Sequence, residues 1–197
     1  MTPHRDNPAP AREAEQAPNR PSRRRLRLLI GLMTLAVLAG MVALGWVWRH
    51  PTAFGEAGGW GVSNSSWPLG TTLYVGMTYE PPEATGEVVV RSAQPRVPLD
   101  SADSGIAFFV CTVDSSAGVG AVGTVGESDI QEECSSLRPA EGASLTLNAT
   151  PREQLVMAVT PHQRGRLTVR GVDLTYSHGW QRGAQLIGGE VELESHG

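Results

Sequence analysis

The sequence of 197 residues has few of the side chains from which metal centres and hydrolytic sites are built. It contains two cysteines, Cys111 and Cys134, and five scattered histidines. No histidine stands three or four residues from another, and metal ligation needs more thiols or nearby histidines. No GxSxG nucleophile elbow occurs either. These absences favour a protein that is not an enzyme, with no catalytic residue, no metal ligand and no cofactor.

Charged residues are absent from one long apolar segment, residues 28–48. At about 1.5 Å rise per helical residue, a segment of this length spans roughly 30 Å, the thickness of a bilayer's hydrocarbon core. Its many Leu, Ile and Val residues each contribute about −0.3 to −0.6 kcal/mol to insertion. Trp46 and Trp48 stand at its end, where aromatic rings suit the headgroup layer. The segment predicts one transmembrane helix, with the lipid bilayer as its partner.

Arginine is distributed unequally around this segment. Residues 1–27 carry seven arginines against three acidic residues, whereas Arg49 is followed by no further arginine until Arg91. Positive charge close to a membrane span stays on the cytoplasmic side. We therefore expect a single-pass protein of the cell membrane, with the N-terminus cytoplasmic and the C-terminus extracytoplasmic.

A cleaved signal peptide is the alternative interpretation of the same segment. Residues 22–27 are similar to a twin-arginine export motif, and residues 43–45 offer small residues before a cut. The apolar core of a signal peptide is typically 7–15 residues long, and the run here is longer, which favours a retained anchor. Under both interpretations the remainder of the chain is exported.

Composition divides the chain into four regions. Residues 1–27 form a basic head that is too polar to order itself, and residues 28–48 form the span. Residues 49–70 are rich in Gly, Ser and Pro and predict a flexible stalk. Residues 71–197 predict one exported domain. From residue 51 onward eight arginines and seventeen acidic residues leave a net charge of −9, which makes nucleic acid a poor partner and leaves an envelope protein or a wall component.

Short β-prone runs separated by turn residues follow from residue 71 onward. They predict strands at residues 72–78, 87–92, 106–113, 144–148, 154–159, 166–177 and 185–194. This pattern predicts an all-β domain, an antiparallel β-sandwich that is immunoglobulin-like in outline. The full immunoglobulin pattern is not met, because no tryptophan lies between the cysteines. The run at 106–113 is apolar on both faces, which predicts a central strand covered on two sides.

Two features of the domain concern its cross-links and its strand register. Cys111 and Cys134 both lie in the exported part, and an even number of cysteines outside the cytoplasm predicts one disulfide. In the run at 166–177 the apolar alternation slips by one residue at Gly171, which predicts a β-bulge; two strands with a turn there are the alternative. A kink at residues 188–189 then precedes the last strand of a terminal hairpin.

A glycine pattern, GxGxxG, occurs at residues 118–123 and follows a predicted strand. A dinucleotide site would require a helix N-terminus directly after it, to hold the pyrophosphate. The residues that follow, Thr-Val-Gly-Glu, are poor helix formers. The pattern therefore predicts a flexible loop and no cofactor.

The loop expected at the terminal hairpin, residues 176–184, is the candidate binding loop. It contains Tyr176, Trp180 and Arg182, whose types are enriched at binding hot spots, although Tyr176 also suits a core position. All sixteen basic residues are arginine, which with much Ala, Gly, Pro and Val is typical of a GC-rich genome. The overall layout and residues 176–183 resemble uncharacterised single-pass membrane proteins of high-GC Gram-positive bacteria, a resemblance that carries over no functional residue.

Three functions are compatible with these features. The first is an anchored β-sandwich that acts as a binding or structural module in the cell envelope. The second is a sensor or regulator, which would need a cytoplasmic partner because 27 residues cannot house a signalling domain. The third is an envelope enzyme with a spatially assembled site. The absent catalytic set favours the first.

The predicted orientation has a direct test. A tag appended after Gly197 is expected to be cut by protease added to intact spheroplasts, because the C-terminus lies outside the cytoplasm. Immunoblotting of the tag measures the cut. A tag that stays protected until the membrane is broken would invert the topology.

Overall fold

The structure is a computed structural model, and it describes residues 23–49, 52–55, 57–118 and 120–196. The chain forms two compact units, Met1–Ala43 and Leu44–Gly197. Most of an apolar helix belongs to the first unit, and a β-rich domain belongs to the second.

Helix α1 covers Arg23–Arg49 and contains the long apolar segment. Its residues 27–46 are long and apolar enough to cross a membrane, and their side chains are exposed. The prediction of one apolar N-terminal helix is confirmed. The predicted disorder of the basic head is wrong for residues 23–27, because arginine is a good helix former and the helix continues through them. The rest of the predicted head lies outside the described residues.

The described part of the second unit holds eleven strands, one helical turn and one short helix. The strands are β1 (Gly61–Pro68), β2 (Leu73–Gly76), β3 (Glu87–Pro95), β4 (Leu99–Asp100), β5 (Ser104–Val113), β6 (Thr124–Gly126), β7 (Cys134–Pro139), β8 (Ser144–Thr146), β9 (Glu153–Pro161), β10 (Gly165–His178) and β11 (Gln181–His196). A 3-10 turn covers Ser115–Ala117, and helix α2 covers Glu127–Glu133. The seven predicted strands correspond to β2, β3, β5, β8, β9, β10 and β11.

The strands form two sheets. One has the order β1-β11-β10-β3-β8, with β4 also paired to β10, and the other has the order β6-β2-β9-β5-β7. All pairs are antiparallel except β1 with β11, which is parallel. The neighbours β2-β9-β5 and β3-β10-β11 follow the B-E-D and C-F-G orders of the immunoglobulin sandwich. The β-sandwich prediction is confirmed.

Alternating side chains from both sheets meet between them in one apolar core. From β9 come Leu155, Met157 and Val159, and from β10 come Leu167 and Val169, all of them buried. Strand β9 is buried almost throughout, and its neighbour β5 is half-exposed over its first part. The prediction that residues 106–113 form a strand covered on two sides holds only for residues 110–113, where Val110 faces this core and Cys111 and Val113 belong to a second cluster on the other face. The strand at the middle of the sheet is β9.

A second, smaller cluster covers the outer face of the five-stranded sheet. It packs Val122 and Ile130 against Val156 of β9. Cys111 of β5 and Cys134, the first residue of β7, lie in the same cluster with their sulfurs at bonding distance and their Cα atoms 5.5 Å apart. The cross-link therefore closes the segment between β5 and β7, including α2, over the sheet.

The predicted β-bulge of the terminal hairpin is confirmed. The pairing of β10 with β11 shifts register between Arg170 and Val172, and Gly171 between them has φ 77°. Gly171 alone lies opposite Gly188 and Gly189, so the additional residue of the bulge belongs to β11 and not to β10 as predicted. Val169 and Val172 are both buried on either side of this shift. Gly188 on β11, at the predicted kink, also has a positive φ of 80°.

The flexible stalk predicted at residues 49–70 is wrong for residues 52–55 and 57–70, and residues 50, 51 and 56 lie outside the described residues. Ala53 and Phe54 are buried in the core, where the N–H of Ala53 donates to the hydroxyl of Tyr176 at 3.0 Å and to Oε1 of Gln185 at 2.8 Å. Strand β1 is added to the open edge of β11. The polar composition that suggested a stalk is that of an edge strand with one face in water.

The bulge predicts a difference between two glycines of the same hairpin. Gly171→Ala is expected to lower the free energy of unfolding by about 2–4 kcal/mol, because an alanine strained at positive φ would also place its Cβ 2.8 Å from the carbonyl oxygen of Ile187. Gly179→Ala is the matched control, with φ 59° and no atom within 4 Å, and should cost about 1–2 kcal/mol. Denaturant unfolding of the full chain in detergent measures both, and equal losses would contradict the bulge geometry.

Candidate functional site

The connection between β10 and β11 is a two-residue turn, Gly179 and Trp180, at the end of a long hairpin. The strands contribute 14 and 16 residues and pair up to His178 and Gln181. The loop predicted at residues 176–184 is therefore mostly strand. Gly179 has φ 59°, a conformation that a turn of this length requires of one of its residues. We call this turn with its flanking residues the hairpin tip.

Tyr176 does not belong to the exposed surface of the hairpin tip. Its side chain is 1% exposed and its ring meets that of Phe54 edge to face, with centroids 5.4 Å apart. Its hydroxyl donates to Oε1 of Gln185. A Cβ on Gly183 would lie 2.5 Å from the Tyr176 ring, so only glycine fits beside it. The assignment of Tyr176 to a binding loop is wrong, because its strand alternation points it into the core.

Trp180 and Arg182 are exposed at the hairpin tip. Trp180 is 68% exposed. Arg182 is paired in register with Ser177, and Nε of Arg91 donates to the Ser177 hydroxyl at 2.9 Å from the neighbouring strand. Two arginines thus flank Ser177 on the outer face of the sheet, beside an exposed indole ring.

The arginines farther along this face are paired with carboxylates. Arg96 binds Asp173 at 2.7 Å, and Arg170 binds Glu190 at 3.0 Å. Among the described residues, no carboxylate lies within ion-pair distance of Arg182. Arg182 therefore differs from Arg96 and Arg170 in having no described carboxylate within ion-pair distance, while the exposed Glu87 lines a depression together with Trp180.

A second depression, which the sequence did not predict, opens at the side of the sandwich. We call it the aromatic groove; its volume is about 420 Å³, within the range of small-molecule sites. Trp60 and Tyr79 line it together with Gly58, Gly76 and residues 121–124. Another depression lies at the hairpin tip, where its lining includes Glu87, His178 and Trp180, and it shares no lining residue with the aromatic groove.

Each aromatic ring of the groove rests on a glycine. A Cβ on Gly189 would lie 2.5 Å from Cδ2 of Trp60, so the indole packs directly on the backbone of β11. A Cβ on Gly55 would lie 3.0 Å from Cδ1 of Tyr79, and the N–H of Gly55 donates to the carbonyl of Tyr79 at 2.7 Å. Trp60 is 39% exposed and Tyr79 is 69% exposed. Both rings are held from one side and face solvent on the other.

Residues 121–123, the end of the glycine pattern, also line the groove and are held by one buried amide. Oε1 of Gln154 accepts from the N–H of Val122 at 2.8 Å, and its Nε2 donates to the carbonyl of Val122 at 3.2 Å. The N–H of Gly76 donates to the carbonyl of Gly123 at 2.9 Å. Strand β6 follows the pattern, and α2 comes after it with acidic residues in its first turn. That arrangement repels a pyrophosphate, and the segment serves instead as a wall of the groove.

A buried carboxyl group anchors the chain directly after Tyr79. Oε2 of Glu80 accepts a 2.6 Å hydrogen bond from the N–H of Asn148. Burial raises the pKa of Glu80; the Asn148 hydrogen bond and the charge of Arg152 oppose this, and the charge of Glu153 adds to it. The pKa of Glu80 therefore lies above its ordinary value.

The pKa of Glu153 is shifted in the opposite direction to that of Glu80. Burial raises its pKa, but hydrogen bonds from the N–H of Thr146 at 2.7 Å and from Arg138 at 2.7 Å, together with the charge of Arg138, lower it more. The net effect is a pKa below the ordinary value. These contacts join β7, β8 and β9.

No family model, curated protein or solved structure matches this chain. The resemblance to membrane proteins of high-GC Gram-positive bacteria therefore stays a prediction. Among the described residues, no group of three or more His, Cys, Asp or Glu side chains is arranged to hold a metal ion. The hairpin tip and the aromatic groove are the two surfaces from which function can be argued.

The two carboxyl groups predict opposite effects of pH on stability. Because folding raises the pKa of Glu80, its contribution is fully present below the ordinary value of 4.5 and is lost as the pH rises through the folded value. Because folding lowers the pKa of Glu153, its contribution is present above 4.5 and is lost as the pH falls through the folded value.

Unfolding of the Glu80→Gln and Glu153→Gln variants, compared with the wild type over a series of pH values, checks both signs. Glu80→Gln should gain stability relative to the wild type as the pH rises above 4.5. Glu153→Gln should lose least in acid and more as the pH rises. Parallel profiles for the two variants would show that these assignments are wrong.

Proposed function

We propose that this protein is a single-pass protein of the cell membrane whose β-sandwich lies outside the cytoplasm and acts as a binding module of the cell envelope. Helix α1 supplies the anchor, since residues 27–46 match the thickness of a bilayer core. Seven arginines in residues 1–27 favour a cytoplasmic N-terminus. The disulfide agrees with an oxidising location for the domain.

The observation that carries the binding role is the exposure of Trp180 at the hairpin tip. An indole ring in water forfeits the free energy that its burial would bring, and tryptophan is among the residues most enriched at hot spots. The backbone beneath it is held by paired strands on both sides of a two-residue turn. A partner that buries Trp180 therefore orders little additional chain on binding.

The charge of the hairpin tip indicates the kind of partner. Arg182 and Arg91 present positive charge on a domain whose net charge is −9 from residue 51 onward. An envelope protein or wall component with an apolar recess and a nearby acidic group complements this surface. Nucleic acid is disfavoured, because the domain as a whole repels a polyanion.

Crosslinking in the native membrane followed by mass spectrometry identifies the partner and tests the site. The variant with Trp180→Ala and Arg182→Ala together is expected to capture at least about tenfold less partner than the wild type, because two hot-spot side chains are removed. The control is Leu99→Ala, which removes another exposed apolar side chain and should leave capture unchanged. Equal capture by all three proteins, each with an unchanged unfolding midpoint, would remove the hairpin tip as the binding site.

A further inference from the structure

The aromatic groove is built to present two flat apolar faces in fixed positions. A Cβ on Gly189 would clash with the Trp60 indole and displace it, whereas a Cβ on Gly55 would lie 3.0 Å from Cδ1 of Tyr79 and require that ring to shift by a few tenths of an ångström. Rings held in this way lose little conformational entropy when a ligand stacks on them. An exposed aromatic ring also presents its negative face to hydrogen atoms that carry partial positive charge.

The described residues that line the groove carry no charge. Among the described residues, those that line it are glycines, aromatic residues, threonines, alanine, valine and one glutamine, none of which ionises near neutral pH. None of the described lining residues supplies a carboxylate to neutralise a cation or an arginine to bind an anion. Nearby, Nη1 of Arg152 donates to the carbonyl of Gly120 at 3.2 Å, beside the lining residue Ala121. The net charge of the surrounding domain further opposes an anionic ligand.

The polar groups that reach the groove suit hydroxyl groups. Oγ1 of Thr78 accepts from the N–H of Leu155 at 3.1 Å, which leaves its hydroxyl hydrogen to donate. Thr124 adds an exposed second hydroxyl on the wall. A ligand for this groove thus combines an apolar flat face with hydroxyl groups around its edge.

We propose that the aromatic groove binds a neutral glycan, with the C–H faces of pyranose rings stacked on Trp60 and Tyr79 and sugar hydroxyls bonded to Thr78. A pyranose ring has this combination of an apolar face and a hydroxyl-bearing edge. The site lies apart from Trp180 and Arg182 and its occupancy depends on neither of them. Loss of one site therefore leaves the other intact.

Titration of the full chain in lipid nanodiscs with two neutral tetrasaccharides, cellotetraose and the N-acetylglucosamine tetramer, tests the site. Glycoside detergents are avoided because their own sugar rings would compete. The wild type is expected to bind at least one of the two saturably in calorimetry. Trp60→Ala and Tyr79→Ala should each weaken binding at least about tenfold, the cost of truncating one hot-spot side chain.

Two controls separate recognition from a loss of folding. Tyr79→Phe keeps the ring and should bind as the wild type does, and Trp180→Ala removes an exposed tryptophan elsewhere and should also bind unchanged. Tyr79 is the more exposed of the two rings, so Tyr79→Ala tests the site even if Trp60→Ala unfolds. Binding of neither sugar, binding by both alanine variants as tight as that of the wild type, or binding of choline in place of the sugars would overturn the proposal.

Discussion

The pairing of β10 with β11 is the constraint on which both candidate surfaces depend. At the turn of this hairpin the register sets Trp180 and Arg182 outward. Nine residues after Trp180 on the same hairpin, Gly189 packs against Trp60 in the aromatic groove. The bulge opposite Gly171 keeps the inward face continuous between these regions. A slip of one residue would reverse every side chain beyond it, so the register decides which groups meet the core and which meet a partner.

Tyr176 illustrates how far local sequence could predict these surfaces. Its neighbours in the chain suggested a binding loop, but alternation along β10 from Val172 and Leu174 points it inward. Continuing that same alternation would have predicted its burial. The bulge was predictable for the same reason, because a period of two leaves a visible mark in the sequence when it slips. Features that follow the two-residue alternation of a strand could be predicted from the sequence. Residue types considered without that alternation gave the wrong assignment for Tyr176.

The prediction of a stalk was wrong, and the aromatic groove was not predicted, for a different reason. Strand β1 pairs in parallel with β11, whose partner residues lie more than a hundred positions away, and no turn signal marks such a pairing. The groove likewise assembles Trp60, Tyr79 and residues 121–124 from three separate segments. Each segment alone is an ordinary run of glycines and polar residues beside an aromatic one. The role of Gly189 and Gly55 is visible only in the folded structure, where aromatic rings pack close to them.

The two surfaces differ in how charge acts on them. At the hairpin tip, guanidinium groups stand against an acidic domain, so a partner there gains from carrying negative charge close to Arg182 and loses if that charge extends over the rest of the molecule. The acidic patch on a partner that complements Arg182 is therefore expected to be small. In the aromatic groove no described side chain carries charge, and attraction depends on contact area and hydroxyl geometry alone. Raised salt should therefore weaken association at the tip and leave the groove nearly unaffected, because screening acts on exposed charges and not on stacking.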